Sequence, residues 1–249
     1  MGGHSHWAGI KHKKAKEDAK KGKTYTKIIK EIVVAVRHGG GDPDSNPRLR
    51  KAMDDARNAN MPNENVERAV LRGLGKLEGV TIDELMLEGY GPGGVAIMVA
   101  ATSDSKNRTT GEIRRMFSQH GGNMGEAGCV GWMFNQKGYF EIEKSQTTED
   151  KLLEITLEAG AQDIDSGEKD VYKVTCEMQD FDKVRKAIEG GSITTVMAEI
   201  TYLPTTVIKV EGNEAEKVIS LMEALEDHDD VSNVYANYDI PDDVIAKHS

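Results

Sequence analysis

The chain has 249 residues, 38% apolar and 30% charged, with a formal net charge of −10. Its two cysteines, Cys129 and Cys176, stand far apart without C-x-x-C spacing, which excludes a disulfide framework and a cysteine zinc knuckle and fits a reducing cytoplasm. The longest purely apolar run, residues 95–101, is far short of the roughly 20 residues a membrane-spanning helix needs, and no apolar stretch follows the charged N-terminus as a secretory signal would require.

The net charge conceals a split. Residues 1–76 carry 17 Lys+Arg against 9 Asp+Glu, whereas residues 77–249 carry 15 against 33. A basic front on an acidic body points to a polyanion as the partner of the front. Residues 1–23 form the densest part, with seven lysines, three histidines and Trp7 among few apolar residues. This segment has little to bury and reads as an arm that is mobile until something binds it.

From residue 24 the pattern becomes helical. Tyr25, Ile28, Ile29, Ile32, Val33 and Val36 make one stripe, with Thr24 or Thr26 as candidate caps and the glycines at 39–41 as a stop. Asn46 before Pro47 reads as N-cap and first helical residue of a second helix with Leu49, Ala52, Met53 and Ala56 on its apolar side. A third helix opens at Asn63 and ends near Gly73 and Gly75.

Beyond this the chain alternates. A strand at 94–102 leads to a helix at about 106–120, then to an apolar run at 129–134 where Cys129 and Trp132 read as packing residues. Residues 138–203 read β-α-β-β-α-β, the ferredoxin-like pattern. A strand at 206–210, a helix striped by Ala215, Val218, Ile219, Met222 and Leu225, and a strand at 231–240 close the chain. The segments 94–134 and 206–240 each supply half of a second such pattern. The expected architecture is α+β: an arm with a three-helix domain over 1–78, a discontinuous ferredoxin-like domain over 79–135 and 205–249, and another inserted over 136–204.

The lysine-rich segment carries the functional reading. Lys11, Lys13, Lys14, Lys16, Lys20, Lys21, Lys23, Lys27 and Lys30 suit phosphate contacts, which gain affinity by releasing counterions. A solvated tail is the competing reading. Trp7 either stacks on a base or folds back over the helical domain. His4 follows two glycines, a Cu(II) or Ni(II) chelate if Met1 is removed, but no further ligands accompany it; His4 and Ser5 read better as hydrogen-bonding groups for phosphate or backbone. Lys106, Arg108, Arg114 and Arg115 offer a second anion contact or, more simply, the polar face of a helix.

No catalytic residue, metal ligand or cofactor is expected. The glycines at 89–94 precede a strand, whereas a dinucleotide fingerprint follows one, and there is no Walker loop, H-E-x-x-H or G-x-S-x-G motif. The acidic runs 223–230 and 238–243 read as solvated edges.

Gly3, His4, Ser5, Trp7, Ile10, Lys11, His12, Lys14, Asp18, Lys21, Gly22, Lys23, Tyr25, Thr26 and Lys27 follow the opening pattern of the YebC/PmpR family. The stretches 39–69 and 88–99 and the Asn-Arg-Thr at 107–109 extend the similarity over essentially the whole chain; His6 departs from the Lys often found there. The resemblance implies a helical domain plus two α+β domains, one inserted in the other, and a cytoplasmic, non-enzymatic transcriptional regulator that binds DNA. It also implies an alternative, a translation factor on ribosomal RNA that relieves stalling at proline runs, since mitochondrial relatives resemble translational activators of cytochrome oxidase and bacterial relatives are linked to ribosomes that stall on proline runs. On either reading the arm grips nucleic acid, with His4, Ser5 and Trp7 making directional contacts. The acidic domains suit a basic protein partner.

Overall fold

The computed structural model describes residues 19–79 and 81–241. It is an α+β protein with a helical N-terminal part followed by antiparallel sheets. Two compact units divide it: one runs to Gly131 and resumes at Val207, and the other is Trp132–Thr206.

Helix α1 (Ala19–Gly39) takes in the end of the lysine-rich arm. Thr24 and Thr26, expected as caps, lie inside it. The Thr26 hydroxyl donates back to the Gly22 carbonyl (3.0 Å), the bond a threonine makes within a helix rather than at its start. Helix α2 (Pro47–Asn58) begins as its sequence dictates, with Pro47 at a position that needs no N–H. Asn46 serves both helices. Its Oδ1 accepts from Leu49 N–H (3.1 Å), capping α2, while its Nδ2 donates to the carbonyls of Ala35 and Gly40 (both 2.8 Å), closing α1. Helix α3 (Asn63–Gly73) crosses α1 at Gly73, where a Cβ would lie 2.6 Å from Val36 Cβ. Only glycine lets the two backbones come this close. Ile32, Val33, Val36, Leu49, Ala52 and Ala69 fill the space among the three helices.

The first unit continues with β1 (Asp83–Tyr90), β2 (Ala96–Ser103), α4 (Lys106–Gln119) and β3 (Asn123–Met124). The inserted unit consists of β4 (Phe134–Glu143), α5 (Glu149–Leu157), β5 (Ala161–Asp165), β6 (Val171–Glu177), α6 (Phe181–Gly190) and β7 (Thr195–Pro204). The chain then returns with β8 (Ile208–Lys209), α7 (Gly212–Asp227), β9 (Val231–Ala236) and β10 (Tyr238–Asp239).

In the inserted unit the strand order is β5-β6-β4-β7 with every pair antiparallel, the ferredoxin-like arrangement expected from the β-α-β-β-α-β pattern. Phe140, Ile142, Val174 and Cys176 alternate onto one face beneath Val184 and Ile188 of α6, and Phe140 stacks on Phe181 (4.9 Å between centroids).

The discontinuous sheet has the order β3-β1-β2-β9. Its fourth member was expected from residues 206–210. Instead β8 pairs only with β10, in a small parallel ladder, and the place in the sheet is taken by β1. Leu85 and Leu87 of β1 join Ile97, Val99, Ile113, Phe117 and the inner face of α7 in one core.

Candidate nucleic-acid interface

Lys23, Lys27 and Lys30 recur at i, i+4 and i+7 and therefore share one face of α1. That face meets the end of α7. Lys23 Nζ donates to Asp227 O (3.2 Å) and Oδ2 (3.0 Å), and Lys27 Nζ to Glu226 O (2.6 Å). Lys30 Nζ donates to Asp229 O (3.3 Å) and closes an ion pair with Asp230. The last carbonyls of a helix have no intrahelical donors and carry the negative end of its dipole. Two ammonium groups from a distant helix, those of Lys23 and Lys27, supply what α7 lacks at this end, and Lys30 holds the turn that follows it.

Asp230 is the hub of the contact. Besides Lys30, its carboxylate accepts from Arg108 (2.8 Å), Thr109 Oγ1 (2.5 Å) and Ser103 Oγ (3.2 Å). Burial alone pushes the Asp230 pKa up, but the bonds from Lys30, Thr109 and Arg108 outweigh it and hold the carboxyl well below its ordinary value. Arg108 is thus a structural residue, tied also to Asp104 (2.8 Å). Arg114 and Arg115 of the same helix are exposed.

The other residues read from the sequence as contacts are placed as follows. His4, Ser5, Trp7, Lys11, Lys13, Lys14 and Lys16 lie outside the described residues. Lys20 and Lys21 fall in the first turn of α1. A further set of cations went unnoticed in the sequence. Arg68, Arg72 and Lys76 are exposed and spaced by four along and just beyond α3. Among the described residues Arg72 and Lys76 have no ion-pair or hydrogen-bond partner, and Arg68 reaches only the neutral Asn65 side chain (2.6 Å). Elsewhere on the helical segment Arg48 is held by Glu31 and Glu84, Lys51 by Asp55 and Arg57 by Asp54. The fourfold spacing was visible in the sequence; that the neighbouring carboxylates leave these cations unpaired was not.

Glu112, His228 and Asp230 lie close enough to suggest a cation site. His228 and Asp230 are already engaged. His228 Nδ1 accepts from Asp230 N–H (3.1 Å), its Nε2 faces Glu112 Oε2 (2.9 Å), and the Asp230 carboxylate has the four side-chain donors named above. Burial pushes the Cys176 thiol up to about 11, and burial with the nearby Glu88 raises Cys129, so both thiols stay protonated at neutral pH.

The glycine-rich segment 121–131 is tied down at its end. The Glu88 carboxylate accepts from the N–H groups of Gly128 (2.8 Å), Val130 (2.8 Å) and Gly131 (2.7 Å). These bonds outweigh the opposing effect of burial and lower the Glu88 pKa. Trp132, expected in the core, is instead 71% exposed in the short turn Gly131–Met133.

Residues 5–76 match the family model described as the TACO1/YebC protein N-terminal domain, and residues 82–238 match that of the TACO1/YebC second and third domain. A probable transcriptional regulatory protein of Dictyoglomus turgidum is 52% identical over 246 residues, 98% of each chain. Another of the same description, from Desulfosudis oleivorans, is 51% identical over 244 residues, covering 98% of this chain and 99% of that one. The crystal structure of the conserved hypothetical protein Aq1575 from Aquifex aeolicus superposes with a TM-score of 0.83 at 47% identity, covering 95% of this chain and 98% of that one.

Proposed function

The chain belongs to the TACO1/YebC family, and from that premise we propose that it is a transcriptional regulator that binds DNA through its basic N-terminal segment. The observation that carries the reading is the charge split: a basic front of 76 residues on a strongly acidic remainder. Such a distribution draws the front toward phosphate and keeps the body away from it. The relatives described as probable transcriptional regulatory proteins are similar over the full length, front included.

The ion pairs within the fold favour some of these cations over others as DNA contacts. Lys11, Lys13, Lys14, Lys16, Lys20 and Lys21 remain the arm's phosphate contacts, with His4, Ser5 and Trp7 as the directional ones. Arg68, Arg72 and Lys76 join them, because their charge is not spent within the described part of the molecule. Lys23, Lys27 and Lys30 are spent on the acidic end of α7, and reach DNA only when that contact opens. No catalytic step is assigned. No described helix is long and apolar enough to cross a membrane.

The test is a titration of duplex DNA with the full chain at several salt concentrations, followed by fluorescence anisotropy. About five phosphate contacts give a slope of log K against log salt near −4 to −5. A slope near zero removes the arm as a DNA-binding element. Sedimentation with ribosomes in the presence of excess duplex DNA, abolished by changing Lys11, Lys13, Lys14, Lys20 and Lys21 to Glu, would reassign the arm to ribosomal RNA.

A further inference from the structure

Strand β7 forms one edge of the inserted unit's sheet, paired only with β4 among the described strands. Which of its backbone groups face outward follows from one bond. Thr205 N–H donates to Met133 O (2.8 Å), one step beyond the Phe134–Pro204 pair. In an antiparallel ladder, hydrogen-bonded and non-hydrogen-bonded pairs alternate. Met197, Glu199, Thr201 and Leu203 therefore bond to β4, and the N–H and C=O groups of Ala198 and Ile200 point away from it.

The two edges of this sheet differ. Strand β5 is five residues long and carries Asp163 and Asp165, the short, charged kind of edge that resists further pairing. Strand β7 is ten residues long with Glu199 as its one charge, and Ile200 is 41% exposed. Its usable length is bounded at both ends. The register steps from Met197 to Thr195 across one residue of β4, leaving Val196 in a bulge, and Pro204 has no N–H to offer outward. A regular edge runs from Met197 to Leu203.

We propose that this edge pairs with the same edge of a second copy, antiparallel and with a twofold axis at Ile200. In that register Ile200 faces Ile200, Ala198 faces Tyr202, Met197 faces Leu203 and Glu199 faces Thr201. Every apolar residue meets an apolar or aromatic one, and each carboxylate meets a hydroxyl, the cross-strand combinations that stabilise sheets. The neighbouring registers fail. Centring on Glu199 sets two carboxylates opposite each other, centring on Thr201 sets each Glu199 against an apolar Leu203 and brings Ala198 to Pro204, centring on Ala198 runs the strand into the bulge, and centring on Tyr202 sets Ile200 against Pro204. Self-complementarity in one register is what a twofold interface demands, and it is the reason to assign a second copy rather than a foreign strand.

The test uses the full chain with Cys129→Ser as background. Opposed residues of a hydrogen-bonded pair have Cα atoms about 5.5 Å apart, within the span of a disulfide. Ile200→Cys is expected to form a covalent dimer under mild oxidation, and Lys183→Cys, on the exposed side of α6, is expected not to. Sedimentation velocity of the wild type should show a mass that rises with concentration. Ile200→Pro should abolish that rise, since the N–H it removes points away from β4 and bonds nothing among the described residues. Far-UV circular dichroism and a thermal melt check its fold, and Ile200→Lys replaces it if the fold is lost. A wild type that stays monomeric at all concentrations with no preferential Ile200→Cys cross-link overturns the proposal. So does a dimer indifferent to the Ile200 variants, which puts the interface elsewhere.

Discussion

Lys30 and Asp230 form an ion pair across 200 residues of sequence, with side chains only 14% and 4% exposed. A buried pair contributes little over an apolar replacement, but removing one partner leaves the other charged and dehydrated. Asp230→Ala strands Lys30 and removes the acceptor of Arg108, Thr109 and Ser103. It is expected to lower stability by about 3–5 kcal/mol in urea unfolding. Lys30→Met with Asp230 retained should cost less, because Arg108 still neutralises the carboxylate.

The same carboxylate gives stability a pH dependence. The Asp230 pKa is held below its unfolded value, so its contribution is fully present above about pH 4 and is lost as pH falls below that. Glu88, lowered by three backbone N–H groups, acts in the same direction. Asp230→Asn is expected to flatten the acid limb of a plot of unfolding free energy against pH. An unchanged limb would mean that other carboxylates govern acid unfolding.

Asn46 should be costly to lose although it is not charged. Asn46→Ala removes the cap of α2, about 1 kcal/mol, and leaves the carbonyls of Ala35 and Gly40 without their donor, about 1 kcal/mol more for each that stays dry. A loss of about 2–3 kcal/mol is expected in chemical denaturation.

Gly73→Ala places a methyl group 2.6 Å from Val36 Cβ and 2.9 Å from Val33 O. The helices must part to admit it, at about 1–3 kcal/mol. A thermal melt against Gly111→Ala separates crowding from loss of a glycine as such, because Gly111 lies within α4 and a Cβ there meets nothing within 4 Å.

For DNA binding, Arg72→Ala and Lys76→Ala should each make the salt slope shallower by about 0.9 with little change in stability. Asp227→Asn should act oppositely. It releases Lys23 from an exposed pair worth at most about 1 kcal/mol, so the fold hardly notices while duplex DNA gains one cation. Anisotropy titrations of the three variants on one duplex decide it. Unchanged binding by Asp227→Asn would show that Lys23 takes no part.

What the sequence reveals here is what neighbouring residues settle among themselves. The start of α2 was legible because Asn46 and Pro47 act within one turn, and the inserted unit because its strands and helices each carry a clean period. Strand β1 escaped notice because its apolar run is only Leu85-Met86-Leu87, without alternation, flanked by Asp83, Glu84 and Glu88 and followed by Gly89. Thr24 and Thr26 looked like caps because nothing local says that the helix is already under way. The docking of Lys23, Lys27 and Lys30 on α7 joins residues about 200 apart, and no local pattern announces it. A comb of lysines reads as free cations until the fold shows which carbonyls they face.

The bond from Thr205 N–H to Met133 O has a consequence for how such a chain can be assembled. The inserted unit leaves and re-enters its host at adjacent points, so the host meets it as a loop whose ends are already closed. Loop length then adds little entropy cost, because the two ends are held together at the neck whatever lies between them. Excising residues 134–204 and bridging Met133 to Thr205 with a short glycine linker should leave β1, β2, β9 and the two helices that cover them as a self-sufficient scaffold, open to grafting a different module at the same neck.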